Sequence, residues 1–174
     1  MDEEFSRIIR AGNIKETPQH HRVVADERAL KALAVRFGLP GIAHLSGEFR
    51  LWHERAGIIA ATLVMQARVT QICVVTLEPF DEEILEESEL RFVPAKTLPE
   101  GDEEEEELSP ESLEGPDEIP YTDDSIDLGA ALAEQLALSL DPYPRSPGAE
   151  LPEEAADNSA NPFSVLAGKF RKSE

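Results

Sequence analysis

Residues 57–80 read GIIAATLVMQARVTQICVVTLEPF. From Ile59 to Leu77 the odd positions are apolar apart from Gln71, whereas the even positions admit Thr62, Gln66, Arg68, Thr70 and Thr76. A period of two with many β-branched residues predicts strand with one buried face. No Gly or Pro interrupts the run between Gly57 and Pro79, so it reads as one long strand or as two that meet at a bend. Because strands usually span about three to ten residues, so long a run is expected to curl around a barrel or to bend at a bulge near Thr70 and Gln71. β-Branched enrichment disfavours a buried helix, and Gln66, Arg68 and Gln71 break the run before the roughly 20 apolar residues a membrane span needs.

The flanks supply partners for this strand. Upstream, residues 42–53 (IAHLSGEFRLWH) alternate with Leu45, Gly47, Phe49 and Leu51 on one side and Glu48, Arg50 and Trp52 on the other. Glu54 to Gly57 form a plausible turn with Gly57 at a positive φ, which makes a hairpin. Downstream, Pro79 turns the chain so that Ile84 to Val93 returns antiparallel, with Pro94 as its stop. Before the hairpin, Asp26 can cap a helix over 26–37 whose Leu30, Leu33, Ala34 and Phe37 share a stripe, ended by Gly38 and Pro40. Asp127 can cap a second helix, Leu128 to Leu140, with Leu132, Ala133, Leu136, Ala137 and Leu140 facing the core. Residues 3–11 are too short a signal to choose between helix and strand, and 163–172 have the apolar spacing of a short amphipathic helix. The expected class is α+β, an antiparallel β-sheet or partial barrel of long strands packed with a few helices. A single domain over 1–174 is expected, with a disordered acidic insert at 96–121 and a flexible segment at 145–161.

Charge is distributed unevenly. The chain carries a formal net charge of −20. Residues 1–80 hold 10 Lys and Arg against 9 Asp and Glu together with all four His, whereas residues 81–128 hold 20 acids against 2 bases. A near-neutral front half is therefore joined to an acidic block whose GDEEEEELSPESLEGPDEIP tract has too few apolar residues to offset ordering entropy.

Little in the chain carries chemistry. One cysteine, Cys73, excludes an intramolecular disulfide and any multi-cysteine zinc site. It falls on the apolar face of the central strand and reads as a buried, inert thiol. Adjacent His20 and His21 point to opposite sides of an extended chain, and no acid or Cys at ligand spacing joins them, so no metal is expected. No phosphate-binding Gly-rich loop, HExxH or GxSxG is present, and carboxylates within a charge run read as solvated. The expectation is a protein that is not an enzyme and has no cofactor, no small-molecule substrate and no membrane attachment. A start with neither basic residues nor an apolar core gives a cytoplasmic expectation.

The order of pieces carries a resemblance. A capped helix ending RFGLPGI, a hairpin, a central strand running into QICVVTLEPFDEEI, a return strand ending LRFVP, an acidic insert, then DSIDLGAALAEQLALSLDPYPRSPGA and NPFSVLAGK together resemble the YceD family. The resemblance covers most of 1–95 and 122–170. It implies a β-rich core and a part in the accumulation and processing of large-subunit (23S) ribosomal RNA in bacteria and plastids. The family pattern Cys-x-Arg-Cys-Leu before Glu-Pro falls on Cys73 to Leu77, Glu78 and Pro79. Only Cys73, Leu77, Glu78 and Pro79 match, so neither a paired-cysteine role nor an arginine contact carries over.

The resemblance implies a non-enzymatic ribosome biogenesis factor that binds large-subunit rRNA or a pre-ribosomal particle. Arg7, Arg10, Lys15, His20, His21, Arg22, Arg50, Arg55 and Arg68 are the candidate contacts, with Trp52 as a packing residue or a stacking platform. A balance of +1 over 1–80 is well short of the basic footprint of a free-standing RNA binder. The alternative is a protein-binding module or chaperone whose acidic insert holds a basic ribosomal protein.

Overall fold

A computed structural model describes residues 5–95 and 115–150. The chain runs β1 (Ile8–Arg10), a single 3-10 turn (Ala11–Asn13), β2 (Gln19–Val24), α1 (Glu27–Phe37), β3 (Gly41–His53), β4 (Ile59–Ile72), β5 (Pro79–Pro94), β6 (Asp117–Tyr121), β7 (Ser125–Asp127) and α2 (Leu128–Ser139). Five strands form one sheet in the order β2-β3-β4-β5-β6, and β1 pairs with β7 in a second, two-stranded sheet. The architecture is α+β, as expected.

β4 lies at the centre. Its alternation becomes physical burial: Ile59, Ala61, Leu63, Met65, Ala67, Val69 and Gln71 are buried, while Val64, Gln66 and Arg68 are exposed. Leu45, Phe49 and Leu51 of β3 and Leu90 and Phe92 of β5 extend that inner face. α2 closes it with Leu132 and Leu136 fully buried, and α1 contributes Leu33. Each fully buried Leu or Phe stabilises the fold by about 1.5–3 kcal/mol relative to an exposed one. Close approach of α2 requires Gly47, because a Cβ there would sit 2.8 Å from Leu132 Cδ1 and 2.9 Å from Leu63 Cδ1.

The expected bend is elsewhere. β4 pairs without interruption with β5 from Ile59↔Phe92 to Ile72↔Pro79, and the register shift lies in β3, between Ile42 and His44. β4 ends one residue before Cys73, where the chain leaves the sheet in a turn instead of bending within it. β5 is longer than the expected return strand and begins at Pro79 itself. β1 settles the undecided N-terminal stretch as strand, since Ile9 pairs with Ile126.

Two further differences concern the acidic stretch. Asp117–Tyr121, at the end of the expected insert, forms β6 and runs parallel to β5 from Leu90↔Asp117 to Pro94↔Tyr121, making the sheet mixed. The Tyr121 hydroxyl donates to the Gly57 carbonyl at 2.6 Å, which ties β6 to the β3–β4 turn. Burial raises the Tyr121 phenol above its ordinary pKa, with Asp124 adding to the effect, so the donating neutral form is the one present. The insert from 96 to 114, the expected helix at 163–172 and most of the flexible segment lie outside the described residues.

Both helices are capped as expected. Asp26 accepts from the Ala29 amide at 2.8 Å, and Gly38 closes α1 at φ 67°. Asp127 does more. One oxygen accepts from the amides of Gly129 (2.9 Å), Ala130 (3.1 Å) and Arg7 (2.8 Å), and the other from the Ser6 hydroxyl at 2.6 Å. Burial alone would raise this carboxyl. The amide of Arg7, the Ser6 hydroxyl and the two helix amides outweigh that and hold its pKa below the usual value.

Candidate nucleic-acid interface and the Cys73 turn

Strand alternation gives the five-stranded sheet a second, outward face. Cross-strand register lays it out in rows: His20, Arg50, Thr62 and Glu89; Arg22, Glu48, Val64 and Glu87; then His44, Arg68 and Glu83 beyond. Trp52 lies in a row with Ala60 and Arg91, two residues along β3 from Arg50 on the same side. Cations thus concentrate on β2 and β3, and carboxylates on β5.

Of the residues singled out from sequence, His20, Arg22, Arg50, Trp52 and Arg68 share this face. His20 stands directly opposite Arg50, and both are exposed. Arg22 is opposite Glu48. Arg68 donates from Nε and Nη2 to Glu83, so its charge is already engaged. Trp52 is half-buried over Ala60, beside Arg91 and Glu54, whose ion pair spans 3.7 Å. Lys15 joins the same end of the sheet, because its carbonyl accepts the His53 amide at 2.8 Å, and Arg55 lies in the β3–β4 turn. His21 faces the inner side, half-buried opposite Phe49. Arg10 belongs to the two-stranded sheet and Arg7 immediately precedes its first strand, so neither joins this surface. Two residues missed from sequence extend the face. His44 bonds Ser46 at 2.9 Å and lies opposite Arg68, and Arg91 flanks Trp52. Only strand register, which pairs residues distant in sequence, identifies them.

The family-motif residues lie at the other end of β4. Over its 14 residues a strand rises about 3.3 Å per residue, so the two ends are separated by roughly 45 Å. Cys73 to Glu78 form a tight turn. The Cys73 amide donates to the Glu78 carbonyl, the Leu77 amide to the Cys73 carbonyl and the Val74 amide to the Pro144 carbonyl, each at 2.9 Å. The thiol is sealed from solvent, as a buried cysteine should be. Hydrogen-bond donors converge on its sulfur. The Ser146 hydroxyl first, then Thr76, with the amides of both, lower its pKa to about 6 against an opposing desolvation. The Thr76 amide stands 3.4 Å from Sγ. Ser146 follows α2 by several residues, and nothing in its local sequence signals that it closes on Cys73.

Among the described residues no group of three or more His, Cys, Asp or Glu side chains is arranged to hold a metal ion. No helix among them is long and apolar enough to cross a membrane. A family model described as Large ribosomal RNA subunit accumulation protein YceD matches residues 61–168. No curated protein and no solved structure matches the chain.

Proposed function

The chain belongs to the YceD family, and from that premise we propose that it supports accumulation of large-subunit rRNA by binding that RNA, or a pre-ribosomal particle, without catalysing a reaction. The observation that carries the reading is the register of β2 on β3, which sets His20 against Arg50 with Arg22 and Trp52 on the same exposed face. Arginines there supply phosphate contacts, and Trp52 supplies a plane on which a base stacks. Carboxylates on β5 limit the contact to the β2–β3 side, so the affinity is modest and the footprint short. Lys15 and Arg55 widen the surface at the turn, whereas Arg68, held by Glu83, contributes least. His21, Arg7 and Arg10 stand outside it.

The test is a salt titration of the full-length protein against a large-subunit rRNA fragment. Replacing both Arg22 and Arg50 by Ala should weaken binding to all sequences and make the logarithmic salt slope shallower by about 1 for each phosphate contact removed. Arg28→Ala, on α1 away from this face, should change neither. An unaltered slope in the double variant would remove this face from the mechanism. The acidic block, with 20 acids against 2 bases over 81–128, favours a second reading in which a basic ribosomal protein is held there. Deleting residues 100–114 should then abolish binding of basic large-subunit proteins, whereas on the first reading it tightens RNA binding by removing a polyanion carried on the same chain.

A further inference from the structure

The turn at the end of β4 borders a groove of about 570 Å3, with walls that include Phe37, Pro40, Ile72, Leu77, Leu140 and Pro144. Two observations set it apart from an ordinary surface recess. Gln71 is buried, with 4% of its surface exposed, and lines the groove. Its Nε2 donates to the Asp141 carbonyl at 3.3 Å, yet its Oε1 has no hydrogen-bond partner among the described residues. The opposite amide orientation would set oxygen against the Asp141 carbonyl, so the acceptor is the free atom. Buried polar atoms are rarely left without a partner, and what this one lacks is an N–H or O–H donor.

Leu77 is the second. It is 76% exposed and sits at φ 60°, a left-handed conformation that Gly or Asn adopts with far less strain. An exposed apolar side chain in a strained position at the rim of an apolar groove is placed against both stability and solubility. Ile72 and Val74 beside it are also exposed.

Charge narrows the occupant. Asp141 lines the groove, and Glu78, Asp81, Glu82 and Glu86 lie on the adjoining turn and strand, with Glu86 bonded to Ser139 at the end of α2. α2 ends here with no basic residue in its last turn, so its carbonyls add negative potential. Arg36 and Arg145 are the neighbouring cations, and Arg36 is stacked on the Phe37 ring at 5.7 Å. A polyanion is therefore repelled, and a cationic chain is attracted.

We propose that this groove binds a short extended segment of a partner protein, which inserts an apolar side chain between Leu77 and Pro144, donates a backbone N–H to Gln71 Oε1 and carries flanking lysines or arginines. The site lies apart from the proposed RNA contacts at Arg50 and Trp52, whose rows cross β4 at Thr62 and Ala60.

Fluorescence anisotropy of the full-length protein with a labelled peptide, two lysines on each side of a central Leu-Val pair, tests the assignment. Binding is expected, with at least a tenfold loss for Leu77→Asn and for Gln71→Met. Leu77→Asn removes the apolar contact while relieving backbone strain, so its thermal stability should be equal to or above that of the parent, which separates lost binding from lost folding. Equal binding of a peptide with glutamates in place of the lysines, competition by a single-stranded RNA oligonucleotide, retained affinity in both variants or no binding at all would each overturn the proposal. A benzophenone side chain installed at position 77 provides the in-cell counterpart. Crosslinks to lysine- or arginine-flanked segments of another protein support it, whereas crosslinks confined to residues 151–174 of this chain, to a second copy or to RNA would overturn it.

Discussion

Cys73 shows how a turn can change a side chain whose burial is ordinary. The thiol is screened from water, but donors from Ser146 and Thr76 surround the sulfur and bring its pKa down to about 6 from 9.0. A folded-state pKa below the unfolded one means that the unfolded chain binds the proton more tightly between these two values. Stability from this group is therefore complete above pH 9, declines as pH falls, and is absent below about 6. Urea denaturation of the parent and of Cys73→Ala across pH 6–9 should show the difference between them growing with pH. A constant difference would mean that the sulfur packs without ionising. Gln71, two residues earlier, is the polar exception on the apolar face, and its burial, with an oxygen that has no partner among the described residues, comes from the loop after α2 covering the end of the strand.

At the scale of elements, α2 is held at its N-terminus by Asp127 and along its length by packing on the sheet. Asp127 caps the helix and also fixes the segment leading into β1, through the Arg7 amide and the Ser6 hydroxyl. Asp127→Ala removes a cap worth about 1 kcal/mol and leaves further donors without their acceptor, so a loss of about 2 kcal/mol is expected. Native-state hydrogen exchange should place the effect first at the amides of β1 and the opening turn of α2. Because the folded carboxyl titrates below its usual value, its contribution is present at neutral pH and is lost as pH falls through the folded pKa. The gap between parent and variant should close in acid. A gap that persists at low pH would show that the carboxylate charge contributes nothing.

At the scale of the molecule, one inner face is shared. β3, β4 and β5 bury one side of the sheet, and α2 covers it with Leu132 and Leu136. We expect the chain to unfold as one unit, because neither the sheet nor the helix buries its apolar side without the other. Leu136→Asp places an unpaired charge in that contact, at a cost of several kcal/mol in a domain with roughly 5–15 kcal/mol of total stability. Circular dichroism should show both sheet and helix lost together. Retention of a folded sheet in this variant, or of structure in residues 1–95 expressed alone, would mean two separable cores. The Arg50 and Trp52 rows cross β4 at Thr62 and Ala60 whereas the groove begins at Gln71, so the RNA contact and the protein contact proposed above fall on different parts of this unit.

Much of this was legible from local signals. Alternation fixed which side of β3 and β4 is buried, Asp26 and Asp127 marked the helix starts, and Gly57 marked the hairpin, because periodicity and capping depend on residues a few positions apart. β6 was not legible, since DEIPY continues a run of acids and contains Pro120; it becomes a strand only because β5 offers an edge for it to pair with. The candidate site divides the same way. His20, Arg22, Arg50 and Trp52 could be named from sequence, but that they share a face while His21, Arg7 and Arg10 do not is a matter of register. The groove is tertiary throughout. Gln71, Leu77, Asp141 and Pro144 meet because the chain after α2 folds back over the end of β4, and no pattern within either segment records the other.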